Sequence, residues 1–560
     1  MGATVIVGGR VRTLAGADAE ALAFADGRIV AVGERAEVSR VAGEGATVID
    51  GAGLTVVPGF VDAHHHVSIA ALYGGAVQLG AVTDIPSLQA ALAAASRALP
   101  EGRWLVAMNW DESRLAERRP PTRAELDDAV PDRPLFALHH TCHRALANSR
   151  ALSLAGIDAR TPEPSGGLIQ RGRGGEPTGL LVERGMSRVE ARARPDLATY
   201  DAAGILARMK EHYVALARVG LTRVVDTAVP AELFTLYREL ARRGDVLVPT
   251  HVCPVSTTGY LEEPWDALDG PTTGHSEGPL TVGPVKLVFD GAPGCSMCLT
   301  WWQSIGASVR TMALAMRLGS WDPVRTMMSV EPRFGRDVRS GIAIYRREEA
   351  ERVVRGVVER GFSVATHAIG NEAIDVALSA YAAAGGALHA AGVPRIEHAS
   401  FLDPELVRRM AGAGVAAVVQ PSMIAMPMVS TASPISGLPF FPLKWLVDAK
   451  VPVVGSSDYP VDVFDPLAGM RTAMLRRNAL GTVVEPDQAL TLDEALAMYT
   501  RTAAEVIGCA AETGTLEVGK RADLALIEGF EGELAAARVV ATFVDGVQVF
   551  AAPGGVAASS

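Results

Sequence analysis

Lysine is scarce in this chain. Of 52 basic residues among 560, only Lys210, Lys286, Lys444, Lys450 and Lys520 are lysines; the others are arginines. Positive charge as a whole is outweighed by 63 acidic residues, and the formal net charge of −11 excludes a general attraction to nucleic acid or to an acidic membrane surface. Long apolar runs are missing too: none approaches the roughly 20 residues a membrane helix needs. The start MGATVIVGGRVRTL has no basic segment followed by an apolar one, and Ile6 stands where a myristoylation signal needs Ser or Thr. A soluble, unprocessed chain is the expectation. Cysteine is sparse, with five residues at 142, 253, 295, 298 and 509, which do not make a disulfide framework. Cys295 and Cys298 form a single CxxC with no second pair to complete a zinc site, and read as two thiols in a Gly-rich loop. A reducing cytoplasm is the expected location.

Apolar types make up 49% and charged types 21%, the balance of a globular protein with a large core. The length suggests roughly three domains, or one large domain with an insertion. Both ends have β-rich texture, with Asp26-Gly27 and Asp545-Gly546 as hairpin signals. We expect one composite β-sandwich domain built from residues 1–56 and 508–555. Between them, apolar β-branched runs at 55–66, 222–229, 246–255, 282–290, 363–370, 394–401, 415–423 and 452–460 alternate with helical runs such as 201–219, 346–360 and 371–384. Eight strands with alternating helices predict an α/β fold, a (β/α)8 TIM barrel over 57–507. Residues 67–221, far longer than a strand-to-helix connection needs, form an insertion or lid subdomain within it.

Chemistry gathers at the ends of the predicted strands. Side chains alternate along a strand, so His64 and His66 share one face, suited to one cation, while His65 points away. Other strand ends supply His367, Glu397-His398 and Asp458, and neutral imidazoles with a carboxylate suit zinc, with manganese or iron as alternatives. Lys286 lies in the apolar run Val285 to Phe289, where an unpaired ammonium is costly. A buried lysine can deprotonate and react with CO2 to a carbamate, an anionic ligand able to bridge two metals; pairing with Asp290 is the simpler alternative.

These segments resemble the amidohydrolase superfamily, and within it amidohydrolase family 3, whose members include N-substituted formamide deformylases. The resemblance rests on Val57-Pro58-Gly59-Phe60-Val61-Asp62-Ala63-His64-His65-His66, Val285-Lys286-Leu287-Val288-Phe289-Asp290-Gly291, Thr366-His367-Ala368-Ile369-Gly370-Asn371, Arg395-Ile396-Glu397-His398-Ala399, Ser457-Asp458-Tyr459-Pro460 and Gly519-Lys520-Arg521-Ala522-Asp523-Leu524. It implies metal binding by His64, His66, His367 and His398, a carbamylated Lys286, and Asp458 as ligand and general base. It implies one or two divalent metals per subunit, zinc foremost, and a homodimer on resemblance alone. The insertion is similar to the family's at Leu126-Asp127, Pro131-Asp132-Arg133-Pro134 and His143 followed by Asn148-Ser149, a likeness that implies a substrate-facing His143. One departure is Ala292-Pro293-Gly294-Cys295, where the family pattern is Ser-rich.

The expected activity is hydrolysis of a C–N bond in a small molecule, an amide or N-substituted formamide. Metal-activated water attacks, Asp458 moves its proton to the leaving amine, and a histidine, His398 or His143, stabilises the oxyanion. Deamination or lactone opening on the same barrel is the alternative, and a non-catalytic relative the third reading. Trp110, Trp302 and Met423 are the expected substrate-pocket residues, with packing between lid and barrel as the competing reading.

Overall fold

The computed structural model describes residues 2–291, 295–318, 324, 333–426, 435–553 and 558–559. The fold is mixed α/β. Strands of both termini share one nine-stranded sheet, in which Leu524–Glu528 pairs antiparallel along the whole of Leu54–Pro58. Both predicted hairpins are present: Asp26-Gly27 and Asp545-Gly546 have the successive positive φ angles of a type I′ turn, 48° and 78°, and 52° and 72°. The strand Thr4–Val11 pairs with Thr47–Asp50 over its first half and with Thr55 and Val56 at its end, so the sheet branches there.

Residues 77–183, within the stretch expected to be an insertion, have a six-stranded sheet and a core of their own. Its strands, in spatial order, are Gly167–Arg171, Pro177–Glu183, Arg144–Ala147, Leu135–His139, Leu105–Trp110 and Val77–Gln78. Leu88 and Leu92 of the helix Ile85–Ala98 pack on this sheet, and Asp84 caps that helix by accepting from the Ser87 amide at 2.7 Å.

The central region carries the strands that end in chemistry. Phe60–His65, Leu221–Val229, Thr250–Pro254 and Leu280–Val282 run parallel in one sheet; Val285–Val288, Val364–Ala368, Arg395–His398, Ala416–Val419 and Val453–Gly455 run parallel in a second. These strands are buried nearly throughout, which is why the sequence reads as unbroken apolar runs here rather than alternating ones. Two of the predicted runs divide. Residues 55–66 supply Leu54–Pro58 to the terminal sheet and Phe60–His65 to the central one, with Gly59 between them. Residues 282–290 break at Gly283-Pro284, because proline has no amide hydrogen for a ladder. Gly283 still donates to the Val252 carbonyl at 2.8 Å and Val285 to that of Ser363 at 2.9 Å, so the two sheets stay joined at this edge. At the other edge, the Asp458 amide donates to the His64 carbonyl at 2.7 Å and the His66 amide to that of Tyr459 at 3.0 Å.

The predicted helices form as Ala202–Arg218, Arg347–Val358 and Asn371–Ala384. Arg347–Val358 shows why: Ala350, Val353, Val354, Val357 and Val358 recur at helical spacing and are its buried face. Among the described residues, no helix is long and apolar enough to cross a membrane. All five cysteines are free, Cys295 and Cys298 included. Parallel strands bring their C-terminal ends to one side, so His64, His367, His398 and Asp458 meet there.

Candidate metal centre and active site

The strand Phe60–His65 ends by delivering His64 and His66 to one carboxylate. His66 Nε2 lies 3.0 Å and His64 Nε2 3.3 Å from Asp458 Oδ1. The donor atoms of these three residues all lie within 4.8 Å of one another. Asp62 holds the arrangement from behind: its Oδ1 accepts from the His64 and Ser457 amides at 3.2 and 3.1 Å, tying the first strand to the turn that carries Asp458. His65 points away, as alternation predicts, with Nδ1 2.9 Å from Asp62 Oδ2 and Nε2 2.7 Å from His212 Nε2.

Three of the histidines share one tautomeric logic. His66 Nδ1 lies 2.7 Å from the Thr227 carbonyl oxygen, which can only accept, so Nδ1 carries the proton. His398 Nδ1 lies 2.9 Å from Gln420 Oε1, an amide oriented in turn by its Nε2 donating to Ser456 Oγ at 2.9 Å. His64 Nδ1 faces the carboxylate of Glu397, both side chains without exposed surface. In each case the bond at Nδ1 turns the Nε2 edge toward the shared site, where loss of its proton exposes the lone pair a metal ligand needs. His367 completes the group: its ring centroid is 4.4 Å from that of His398, and its Nε2 is buried without a hydrogen-bond partner, 3.5 Å from Asp290 Oδ1.

The electrostatics agree with ligand chemistry. Burial drives His398 down to about 3 and His367 well below its ordinary value, so both are neutral. Burial pushes the Asp458 carboxyl up, but hydrogen bonds from His64 and His66 outweigh it and hold the group well below the carboxylate range. Glu397 is likewise held at about 2 against the push of burial by Arg395 and His64. Lys286 is buried, its Nζ 3.3 Å from His64 Nε2. Burial lowers the amine, with Glu397 and Asp458 opposing. Asp290, the alternative partner for Lys286, is occupied otherwise: it accepts from the amides of Ser296, Ile369 and Gly370 at 3.0, 3.0 and 2.8 Å. The residues present therefore fit a divalent cation. Backbone strain concentrates here as well, with positive φ at His398, Ala399 and Asp458.

The insertion contributes His143, whose ring centroid is 5.8 Å from that of His367. Met423 is half-buried in the short helix Pro421–Ala425, which follows the strand Ala416–Val419. The tryptophans lie elsewhere. Trp110 is fully buried in the insertion's own core, its indole N–H donating to the Ala137 carbonyl at 3.0 Å, and Trp302 is 83% exposed on the helix Trp301–Leu318. Neither joins the cluster. The departure at Ala292-Pro293-Gly294 lies outside the described residues. Sequence reasoning missed Glu397, Gln420 and Glu183 as hydrogen-bond partners of the candidate site histidines. Glu397 and Gln420 had a signal, since each follows its apolar run at the end that carries the site. A second group, Asp111, His139 and His140, also has donor atoms within 4.8 Å of one another, but the Arg144 guanidinium already lies 2.9 Å from His139 Nε2.

The chain belongs to the amidohydrolase family, whose model matches residues 47–550. It is a hydrolase acting on carbon–nitrogen bonds. It is 32% identical to the N-substituted formamide deformylase of Arthrobacter pascens, over 97% of each chain. It is 27% identical to the putative amidohydrolase YtcJ of Bacillus subtilis (strain 168), over 85% of this chain and 84% of that one. Among solved structures, an uncharacterized metal-dependent hydrolase from Pyrococcus horikoshii superposes with a TM-score of 0.68 at 23% identity, covering 95% of this chain and 98% of that one, which is a likeness of fold.

Proposed function

We propose that the protein is a metal-dependent hydrolase of N-substituted formamides or closely related small amides. The observation that carries this reading is the convergence of His64, His66 and Asp458 donor atoms within 4.8 Å, beside the buried, unpartnered Nε2 of His367. His64, His66, His367, His398 and Asp458 would hold the metal, zinc first among candidates, and a carbamylated Lys286 would add an anionic ligand. When bound, a divalent cation polarises the substrate carbonyl and acidifies water.

The chain's own residues account for the proton movements. Asp458, kept ionised by His64 and His66, accepts a proton from the attacking water and returns it to the departing nitrogen, so that amide and water become acid and amine. His143, on the insertion, donates toward the carbonyl oxygen as negative charge develops there. We read the two central sheets, joined at Gly283-Val285 and at His64-Asp458, as one (β/α)8 barrel over 57–507, with Leu280–Val282 and Val285–Val288 counted as the two halves of one broken strand. Residues 1–56 with 508–555 form the β-domain and 67–221 the lid. The 32% identity to a formamide deformylase favours formamides among the C–N substrates.

The test is metal analysis of the purified protein together with a screen of N-formyl, N-acyl and lactone substrates. At least one bound divalent metal, activity on N-substituted formamides, loss with a chelator and recovery on re-adding metal are expected. A His64→Ala, His66→Ala double variant that keeps both metal and activity rejects the site; turnover of lactones alone rejects the substrate class.

A further inference from the structure

Glu183 is an unusual residue in an unusual place. It ends the insertion strand Pro177–Glu183, directly before the helix Arg184–Tyr200, with φ 49° and ψ −130° in a residue that is not glycine. Positive φ costs a side-chain-bearing residue free energy, and the surrounding structure must hold it there. Its side chain is 2% exposed, so its carboxylate has given up water. What it gains is His143: both carboxylate oxygens lie within hydrogen-bond distance of His143 Nδ1, at 3.1 and 3.0 Å, and the Glu183 amide donates to the His143 carbonyl at 3.0 Å. The strand pairing that aligns Arg144 with Val182 makes this contact, although the residues are 40 apart in sequence.

A third observation comes from the central region. Gly291 follows Asp290 beyond the Lys286 strand, and a Cβ on it would fall 2.1 Å from Glu183 Oε1. The carboxylate thus lies between the insertion histidine and the backbone of a site-bearing segment, in a space only a glycine leaves open. His143 is also close to the ligand group, 5.8 Å from His367 between ring centroids.

We propose that Glu183 is a positioning residue for His143: its carboxylate accepts the hydrogen bond from Nδ1–H, fixes the ring, and turns the Nε2 edge toward the carbonyl of the substrate. The pair binds the insertion and the metal centre into one site, in which the insertion supplies the donor that faces the carbonyl oxygen. The role of the pair in turnover rests on the amide-hydrolase reading above; the pair itself does not. A carboxylate at Nδ1 favours the doubly protonated ring, which leaves the Nε2 hydrogen free to donate to the carbonyl oxygen.

The experiment compares wild type, Glu183→Ala, Glu183→Gln, His143→Gln and the Glu183→Ala, His143→Gln double variant, each loaded with metal to the same measured content. A downfield proton resonance of His143 Nδ1, assigned by its loss in His143→Gln, is expected in wild type and absent from Glu183→Ala. Turnover in Glu183→Ala should fall at least tenfold in kcat with KM within threefold. Glu183→Gln, whose amide oxygen still accepts a hydrogen bond, should recover at least threefold over Glu183→Ala. The double variant should be within threefold of the poorer single variant, since both remove one unit. Should Glu183→Ala fail to fold, Glu183→Gln carries the test: an upfield shift of the resonance and a lower kcat are expected. A resonance unchanged by either Glu183 substitution, a wild-type kcat in them, or losses that multiply in the double variant would overturn the proposal. If wild type hydrolyses no amide at all, the functional reading fails, and the resonance still decides the pair.

Discussion

His64 turns its Nδ1 to Glu397, and neither side chain has any exposed surface. Glu397 Oε1 lies in turn 2.7 Å from Arg395 Nε. A metal-ligating imidazole is held by such a partner, and removing it typically costs 10–100-fold in metal affinity or activity. Glu397→Gln should therefore weaken metal binding by about that factor, measured by competition with a chromophoric chelator. It also leaves Arg395 buried without its counter-charge, and a loss of about 3–5 kcal/mol in unfolding free energy is expected. Metal affinity equal to wild type would remove Glu397 from its assigned role.

His251 allows the sign of a pH effect to be worked out at one residue. Burial, assisted by the positive charges of Arg223 and Arg395, holds it down to about 3, whereas an unfolded histidine titrates near 6.5. Below pH 6.5 the unfolded chain binds a proton here that the folded chain refuses. The contribution is therefore fully present above pH 6.5 and is lost as the pH falls toward 3, at roughly 1.4 kcal/mol per pH unit. Urea unfolding of wild type and His251→Leu should show wild type losing about 2 kcal/mol relative to the variant between pH 7.5 and 5. A difference that does not change with pH would mean that His251 is protonated in the fold.

The two tryptophans separate packing from substrate contact. Trp110, buried in the insertion core, should cost about 3–5 kcal/mol when changed to Ala, measured by urea unfolding. Trp302, 83% exposed, should change stability by no more than about 0.5 kcal/mol, and Trp302→Ala should leave KM within twofold. A large rise in KM for Trp302→Ala would return that residue to the substrate pocket.

Gly59 joins the terminal sheet to the His64 strand. A Cβ there would lie 2.2 Å from both Oγ1 and Cγ2 of Thr222, so Gly59→Ala overpacks the junction and should cost about 1–3 kcal/mol, seen as a lower Tm. Thr222→Gly opens the same space, and the double variant should lose less than the two single variants together.

Much of the site was legible because parallel strands write their geometry into the sequence. Each buried run ends where its polar residue must stand, so His64, His66, His367, His398 and Asp458 could be read from run endings alone. Lys286 was marked by its apolar neighbours and by the rarity of lysine. Strand boundaries were less legible: nothing in the composition of 55–66 says that the chain leaves one sheet at Pro58 and enters another at Phe60. Glu183 was hidden for a different reason. Its contact with His143 depends on antiparallel pairing inside the insertion, and no local pattern announces which residues such pairing will face. Trp110 stayed undecided between pocket and packing in the sequence because an aromatic side chain fills a core and lines a pocket with the same surface; the fold buries it in a core.

The strand Leu54–Pro58 leads through Gly59 into the His64 strand, and its antiparallel partner Leu524–Glu528 lies more than four hundred residues later. During synthesis, the segment that presents the first two histidines waits for its brace until more than four hundred further residues have left the ribosome. Until then Leu54–Pro58 carries an open edge, able to pair with another chain as readily as with its own. Contacts this distant in sequence form slowly, so the yield of active protein is set by a race between self-completion and pairing with a neighbour.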